Sequence, residues 1–165
     1  SSLDPHEIIF SPDGSKYFLT CQKTNEVRVM KTSNDSLLSV ISVGVFPQEM
    51  AVSQSLPYLI VTCTEDNQTF PGKTGSVAII NYNTLSIIKT LYLGHQSHGV
   101  VVDEINKRVY ISNRNVTTGG PAPHHSSLCT GKNGYITAID LQSLLIIPAF
   151  KAEVSVDPYG LGISF

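Results

Sequence analysis

Short apolar runs recur along this chain, and each is closed off by residues that turn the backbone. Tyr17-Phe18-Leu19-Thr20-Cys21, Leu59-Ile60-Val61-Thr62-Cys63 and Val109-Tyr110-Ile111-Ser112-Asn113 are rich in β-branched and aromatic residues. They are too short for helices and the right length for strands. A second set follows them: Val27 to Met30, Val77 to Ile80 and Ile136 to Ile139. A third comprises Leu38 to Ile41, Ile87 to Leu91 and a weaker stretch from Leu145 to Ile147 that Pro148 interrupts. Ser11-Pro12-Asp13-Gly14 is a strong turn signal ahead of the first run. No segment carries a helical period, so the pattern predicts an all-β chain.

The runs belong to an internal repeat. His6-Glu7-Ile8-Ile9-Phe10-Ser11 has counterparts in Gln48-Glu49-Met50-Ala51-Val52-Ser53, His98-Gly99-Val100-Val101-Val102-Asp103 and Tyr159-Gly160-Leu161-Gly162-Ile163-Ser164. Each of the first three copies opens a unit of four strands. The units span about 6–44, 48–94 and 98–155, and a fourth starts at 156–165 with one strand. Growth from unit to unit lies almost wholly between the second and third strands, which is where surface loops lengthen at little cost. Four antiparallel strands repeated at this period form the blade of a β-propeller.

The chain resembles the surface-layer type of propeller repeat known as the YVTN family. The resemblance rests on Ser11-Pro12-Asp13-Gly14, on Thr20 through Val29, and on the recurrence at Val109 to Asn113 and Ile139-Asp140-Leu141. It implies a ring of commonly about seven blades. Three blades and one strand are therefore expected to form part of a propeller, completed by further blades in the same chain or another. The resemblance also implies a periplasmic or cell-surface location.

Strand direction places the chemistry. In an antiparallel blade the start of the first strand and the end of the second share an edge. His6, Gln48, His98 and Tyr159 are thus expected to ring the mouth of the central channel, as candidate ligand-binding residues. Cys21, Cys63 and Asn113 lie at the same edge, and the two long loops open onto it. The longer loop carries His124, His125 and Cys129. With His98 these offer imidazole and thiolate ligands for copper or zinc, although their spacing matches no established zinc signature. Cys21 and Cys63 occupy equivalent places in adjacent sheets, too far apart for a disulfide, and read as small apolar fillers. Glu65-Asp66-Asn67-Gln68 reads as a solvated loop, and Asp103 with Glu104 as turn residues.

Composition narrows the function. The 165 residues carry a net charge of −2, and 15% of them are charged. That excludes the basic footprint of a nucleic-acid binder. A hydrophobic content of 41% is too high for a disordered segment. No apolar run approaches the roughly 18 residues of a membrane span. The leading expectation is a non-catalytic recognition or scaffold module that binds a protein or carbohydrate partner through the loop-bearing face. The alternatives are a metal- or haem-associated redox propeller with histidines at the channel mouth, and a lactonase-like hydrolase. No nucleophile elbow or fixed catalytic acid supports the last.

Overall fold

The computed structural model describes residues 3–114, 134–154 and 157–164. They form three four-stranded antiparallel sheets, with no helix among them. The first sheet holds β1 (Pro5–Phe10), β2 (Lys16–Cys21), β3 (Glu26–Lys31) and β4 (Leu37–Ser42). The second holds β5 (Pro47–Val52), β6 (Tyr58–Cys63), β7 (Ser76–Asn81) and β8 (Ser86–Leu91). The third holds β9 (Ser97–Asp103), β10 (Arg108–Asn113), β11 (Tyr135–Asp140) and β12 (Ile146–Glu153). In each sheet the strands pair in chain order, which makes it a blade. The first strands β1, β5 and β9 lie side by side on the inner side of the stack.

Alternation along the strands builds the cores between blades. Phe18, Val27, Val29 and Ile41 from one face of blade 1 meet Met50, Leu59, Val61 and Ile80 of blade 2. The other face of blade 2, with Ile60, Val77 and Ile79, meets Val100, Val109, Ile111 and Ile139 of blade 3. The middle strands of blade 2 therefore have two faces to bury, which is why β6 and β7 are nearly continuous apolar runs. Cys21 and Cys63 are free thiols, wholly buried within the stack. Burial pushes the Cys63 thiol up to about 12, so it acts as a small apolar side chain.

A hydroxyl relay ties the inner strands together. Thr20 Oγ1 accepts the Glu7 amide of its own blade at 3.0 Å and donates to the Gln48 carbonyl of the next, also at 3.0 Å. Thr62 Oγ1 accepts the Glu49 amide at 3.2 Å and donates to the His98 carbonyl at 2.5 Å. Ser112 Oγ repeats the pattern with the Gly99 amide at 2.8 Å and the Tyr159 carbonyl at 2.9 Å. At each site the inner strand bulges out of register, freeing an amide that the hydroxyl satisfies. Close approach follows: a Cβ on Gly99 would lie 2.2 Å from the Tyr159 carbonyl oxygen.

Turns repeat as faithfully as strands. Asp4, Phe46, Gln96 and Asp157 all adopt positive φ, from 48° to 61°, just before the four inner-strand positions. Asp35, Leu85 and Leu144 do the same at the hairpin between third and fourth strands. Leucine rarely takes this conformation, so the frame of the repeat, rather than local preference, imposes it.

One expectation needs correction. The weak fourth strand of blade 3 is in fact eight residues long and runs through Pro148. It is the outermost strand, and its register shifts between Thr137 and Ile139, so the missing proline N–H falls at an irregularity. Of the fourth unit, the described residues 157–164 lie outside the three sheets. Pro158 to Gly160 lie against blade 3, held by the hydrogen bond from Ser112 Oγ to the Tyr159 carbonyl.

Candidate functional site

The edge at which the inner strands begin collects most of the chain's unusual side chains. Register fixes its composition: Pro47 lies opposite Cys63 and Cys63 opposite Ser76, while Ser97 lies opposite Asn113 and Asn113 opposite Tyr135. The connections 64–75 and 114–134 therefore leave and return at this same edge. So do residues 92–96, which lead into β9.

The four expected channel-mouth residues occupy equivalent places but differ in environment. His6 is exposed and Gln48 is buried. His98 is fully buried, and its ring lies 3.8 Å, centroid to centroid, from that of Tyr159. Tyr159 is itself 39% exposed and closes over the histidine from the solvent side. Burial, then the nearby Glu49 carboxylate, raises its phenol above the ordinary value. His124, His125 and Cys129 lie outside the described residues. Among the described residues no group of three or more His, Cys, Asp or Glu side chains is arranged to hold a metal ion.

Beside this pair lies a polar cluster that sequence reasoning missed. Gln96 is buried and donates from Nε2 to Glu65 Oε1 at 2.9 Å. Burial raises the Glu65 carboxyl, against the opposing pull of Arg114 and of the Gln96 amide. Arg114 is 2% exposed and grips Asp157 with Nε and Nη2, the latter at 3.1 Å from Oδ2. His95 donates its backbone amide to the Tyr135 hydroxyl at 3.3 Å. Burial, with Arg114 nearby, holds its imidazole below the usual range and so neutral at pH 7. The cluster thus joins one carboxylate, one neutral imidazole and a buried ion pair, drawn from four separate connections. The available signal was weak: Gln96 and Asp157 are both two residues before an inner-strand position, but their chemistry differs.

Asp66 also departs from expectation. It is 1% exposed rather than solvated, and it organises the 64–75 loop. Its Oδ1 accepts the amides of Gln68 and Thr69 at 3.1 and 3.2 Å, and its Oδ2 accepts the Ser76 hydroxyl at 2.5 Å. Although burial works the other way, these bonds hold the carboxyl below its ordinary value. The loop then presents Phe70, whose ring lies 6.1 Å from that of Tyr92. Lys73 stands 5.3 Å over Tyr92, and Lys151 stands 4.1 Å over Tyr135. A rim of aromatic rings capped by lysines borders the polar cluster.

At the opposite edge Glu104 is a clamp between blades rather than a simple turn residue. It accepts hydrogen bonds from Ser53 Oγ at 2.6 Å, the Gln54 amide at 2.7 Å and Ser55 Oγ at 2.5 Å, with Lys107 at 3.3 Å.

Solved structures share the arrangement of sheets. The hydrazine synthase of Kuenenia stuttgartiensis superposes with a TM-score of 0.71 at 19% identity, over 97% of this chain and 38% of that one. The RRP9 WD40 repeats match with a TM-score of 0.66 at 12% identity, over 92% of this chain and 39% of theirs. This is the β-propeller fold. U3-55K gives the same TM-score of 0.66 at 12% identity, over 94% of this chain and 42% of that one. The chain spans roughly two fifths of the length of these propeller proteins, and identities this low speak for fold alone. No family model and no curated protein matches the chain.

Proposed function

We propose that this chain is a propeller recognition and scaffold module of the surface-layer kind. It works in the periplasm or at the cell surface and binds a protein or carbohydrate partner through the edge where the inner strands begin. One observation carries this reading. Side chains from four connections gather at that edge into a polar cluster of Glu65, His95, Gln96, Arg114 and Asp157, flanked by Phe70, Tyr92 and Tyr135. Half-buried aromatic rings beside fixed polar groups are the composition of a recognition surface. The opposite edge has tight turns closed on themselves, such as Ser11 to Ser15 around Asp13.

The test is a binding survey of the purified chain against arrayed glycans and cell-surface proteins, followed by two surface variants. Phe70→Ala/Tyr92→Ala should weaken any specific ligand at least about tenfold, as loss of an aromatic anchor does. Ile105→Asp, at the opposite edge, should leave binding unchanged. Ligands held equally by both variants, or lost with Ile105→Asp alone, would overturn the assignment of the face.

A further inference from the structure

Each blade ends on an outer strand, β4, β8 or β12, whose far side has no neighbour in its sheet. Such an edge is a template for another strand, and proteins blunt it with charge, proline or irregularity. β8 carries Lys89 in its second half, and β12 carries Pro148, Lys151 and Glu153. β4 reads Leu37-Leu38-Ser39-Val40-Ile41-Ser42 and holds neither a charged residue nor a proline. Its register slips only between Val29 and Met30, at the hairpin end, which leaves residues 39–42 in unbroken alignment with β3. Leu38 and Val40 are 48% and 45% exposed.

Register shows which backbone groups of this edge face outward. The Val43 amide donates to the Asn25 carbonyl at 2.9 Å. From there the pairs run Glu26 with Ser42, Val27 with Ile41, Arg28 with Val40 and Val29 with Ser39. Bonded and non-bonded pairs alternate along an antiparallel ladder. Ile41 and Ser39 therefore bond to β3, while Val40 and Ser42 turn their amides and carbonyls away from it. We propose that β4 is a self-association edge, filled by β4 of a second copy of this chain running antiparallel to it. Val40 of each copy lies opposite Ser42 of the other and exchanges both backbone hydrogen bonds with it, and Ile41 meets Ile41 on the two-fold axis. Chemistry selects this occupant. A row of outward amides and carbonyls is matched by another strand, and a strand without charge sets no like charges against each other when it pairs with itself. The pairing also draws Val40 out of water. β4 belongs to blade 1 and the polar cluster to blades 2 and 3, so the contact is separate from the proposed recognition edge.

Sedimentation equilibrium of the polypeptide as its own gene encodes it, from about 1 μM to about 100 μM, tests this. The wild type should pass from monomer to dimer within that range. Val40→Pro removes an outward amide and leaves the bonds of Ile41 and Ser39 to β3 in place, so it should raise the dimer dissociation constant at least about tenfold. Ile8→Lys, on the sheet face of blade 1 rather than on its edge, should leave that constant unchanged. A wild type that stays monomeric throughout would overturn the proposal. So would association that Val40→Pro leaves intact, or that Ile8→Lys weakens equally, since the contact would then lie elsewhere. Should far-UV circular dichroism show that Val40→Pro folds poorly, amide exchange of the wild type decides the matter. The Val40 and Ser42 amides should exchange more slowly as protein concentration rises, and exchange independent of concentration would overturn the proposal.

Discussion

Replacing Thr62 by valine removes one hydroxyl from the seam between blades 2 and 3 and leaves the shape of the side chain intact. Thr62 is wholly buried. Its Oγ1 satisfies the Glu49 amide and donates to the His98 carbonyl, so Thr62→Val strands one buried donor and takes a hydrogen from one buried acceptor. Each such group costs about 1–3 kcal/mol, and the added methyl recovers part of that, leaving about 2–4 kcal/mol. With the urea sensitivity usual for a small domain, the unfolding midpoint should fall by roughly 1–2 M. Thr62→Ser keeps the hydroxyl and loses a buried methyl, at about 1 kcal/mol. The order of stability should therefore be wild type, serine, valine, measured by urea unfolding followed by far-UV circular dichroism. A site that made no use of the hydroxyl would instead rank valine first and serine last. Valine equal to wild type, or more stable than serine, would refute the relay as a stabilising device.

Three further outcomes follow from the same geometry. Hydrogen bonds from Ser53, Ser55, Gln54 and Lys107 outweigh burial and hold the Glu104 carboxyl at about 2, below its ordinary 4.5. Its contribution is present above the unfolded value and is lost as pH falls through the folded one. Glu104→Gln should thus cost about 1 kcal/mol at pH 7, after allowance for solvent screening, and nothing near pH 2, measured as melting temperature against pH. Glu7 has the opposite sign: burial, then the Glu49 carboxylate, push it up to about 7 even though it accepts the Met50 amide. The folded protein therefore loses stability as pH rises from 4.5 to 7, and Glu7→Gln should be about 1 kcal/mol more stable than wild type at pH 8 and equal to it at pH 4. Gly99→Ala should drive residues 157–164 off blade 3, because the new Cβ collides with the Tyr159 carbonyl; hydrogen exchange across that segment should rise in the variant while the β6 and β7 amides are unchanged.

Much of the fold was legible because the repeat writes the same physical demand three times. Strand two must be apolar on both faces and must end in a hydroxyl residue followed by a small one, so Thr20-Cys21, Thr62-Cys63 and Ser112-Asn113 align without a structure. Proline misled the reading of β12, since a central strand would exclude Pro148 whereas an outer, irregular one accepts it. The site was less legible because its contacts join residues far apart in sequence and unrelated by the repeat: Glu65 with Gln96, Arg114 with Asp157. Glu104 left one trace. Unit 1 closes its first turn with its own Asp13 between Ser11 and Ser15, whereas unit 2 has Ser53-Gln54-Ser55 with no acid of its own. It takes the carboxylate from unit 3 instead.

The central claim is that hydroxyls on the second strands bind successive blades into one stack. Residue-resolved hydrogen exchange by NMR tests it most directly, at the amides of Glu49 and Gly99. Neither amide bonds to a ladder carbonyl, and both donate to a buried hydroxyl in a blade seam. The account predicts that they exchange as slowly as the ladder amides of β6 and β10. Exchange at the rate of the exposed turn amides would contradict it, because blades that separate readily would leave those two donors to water.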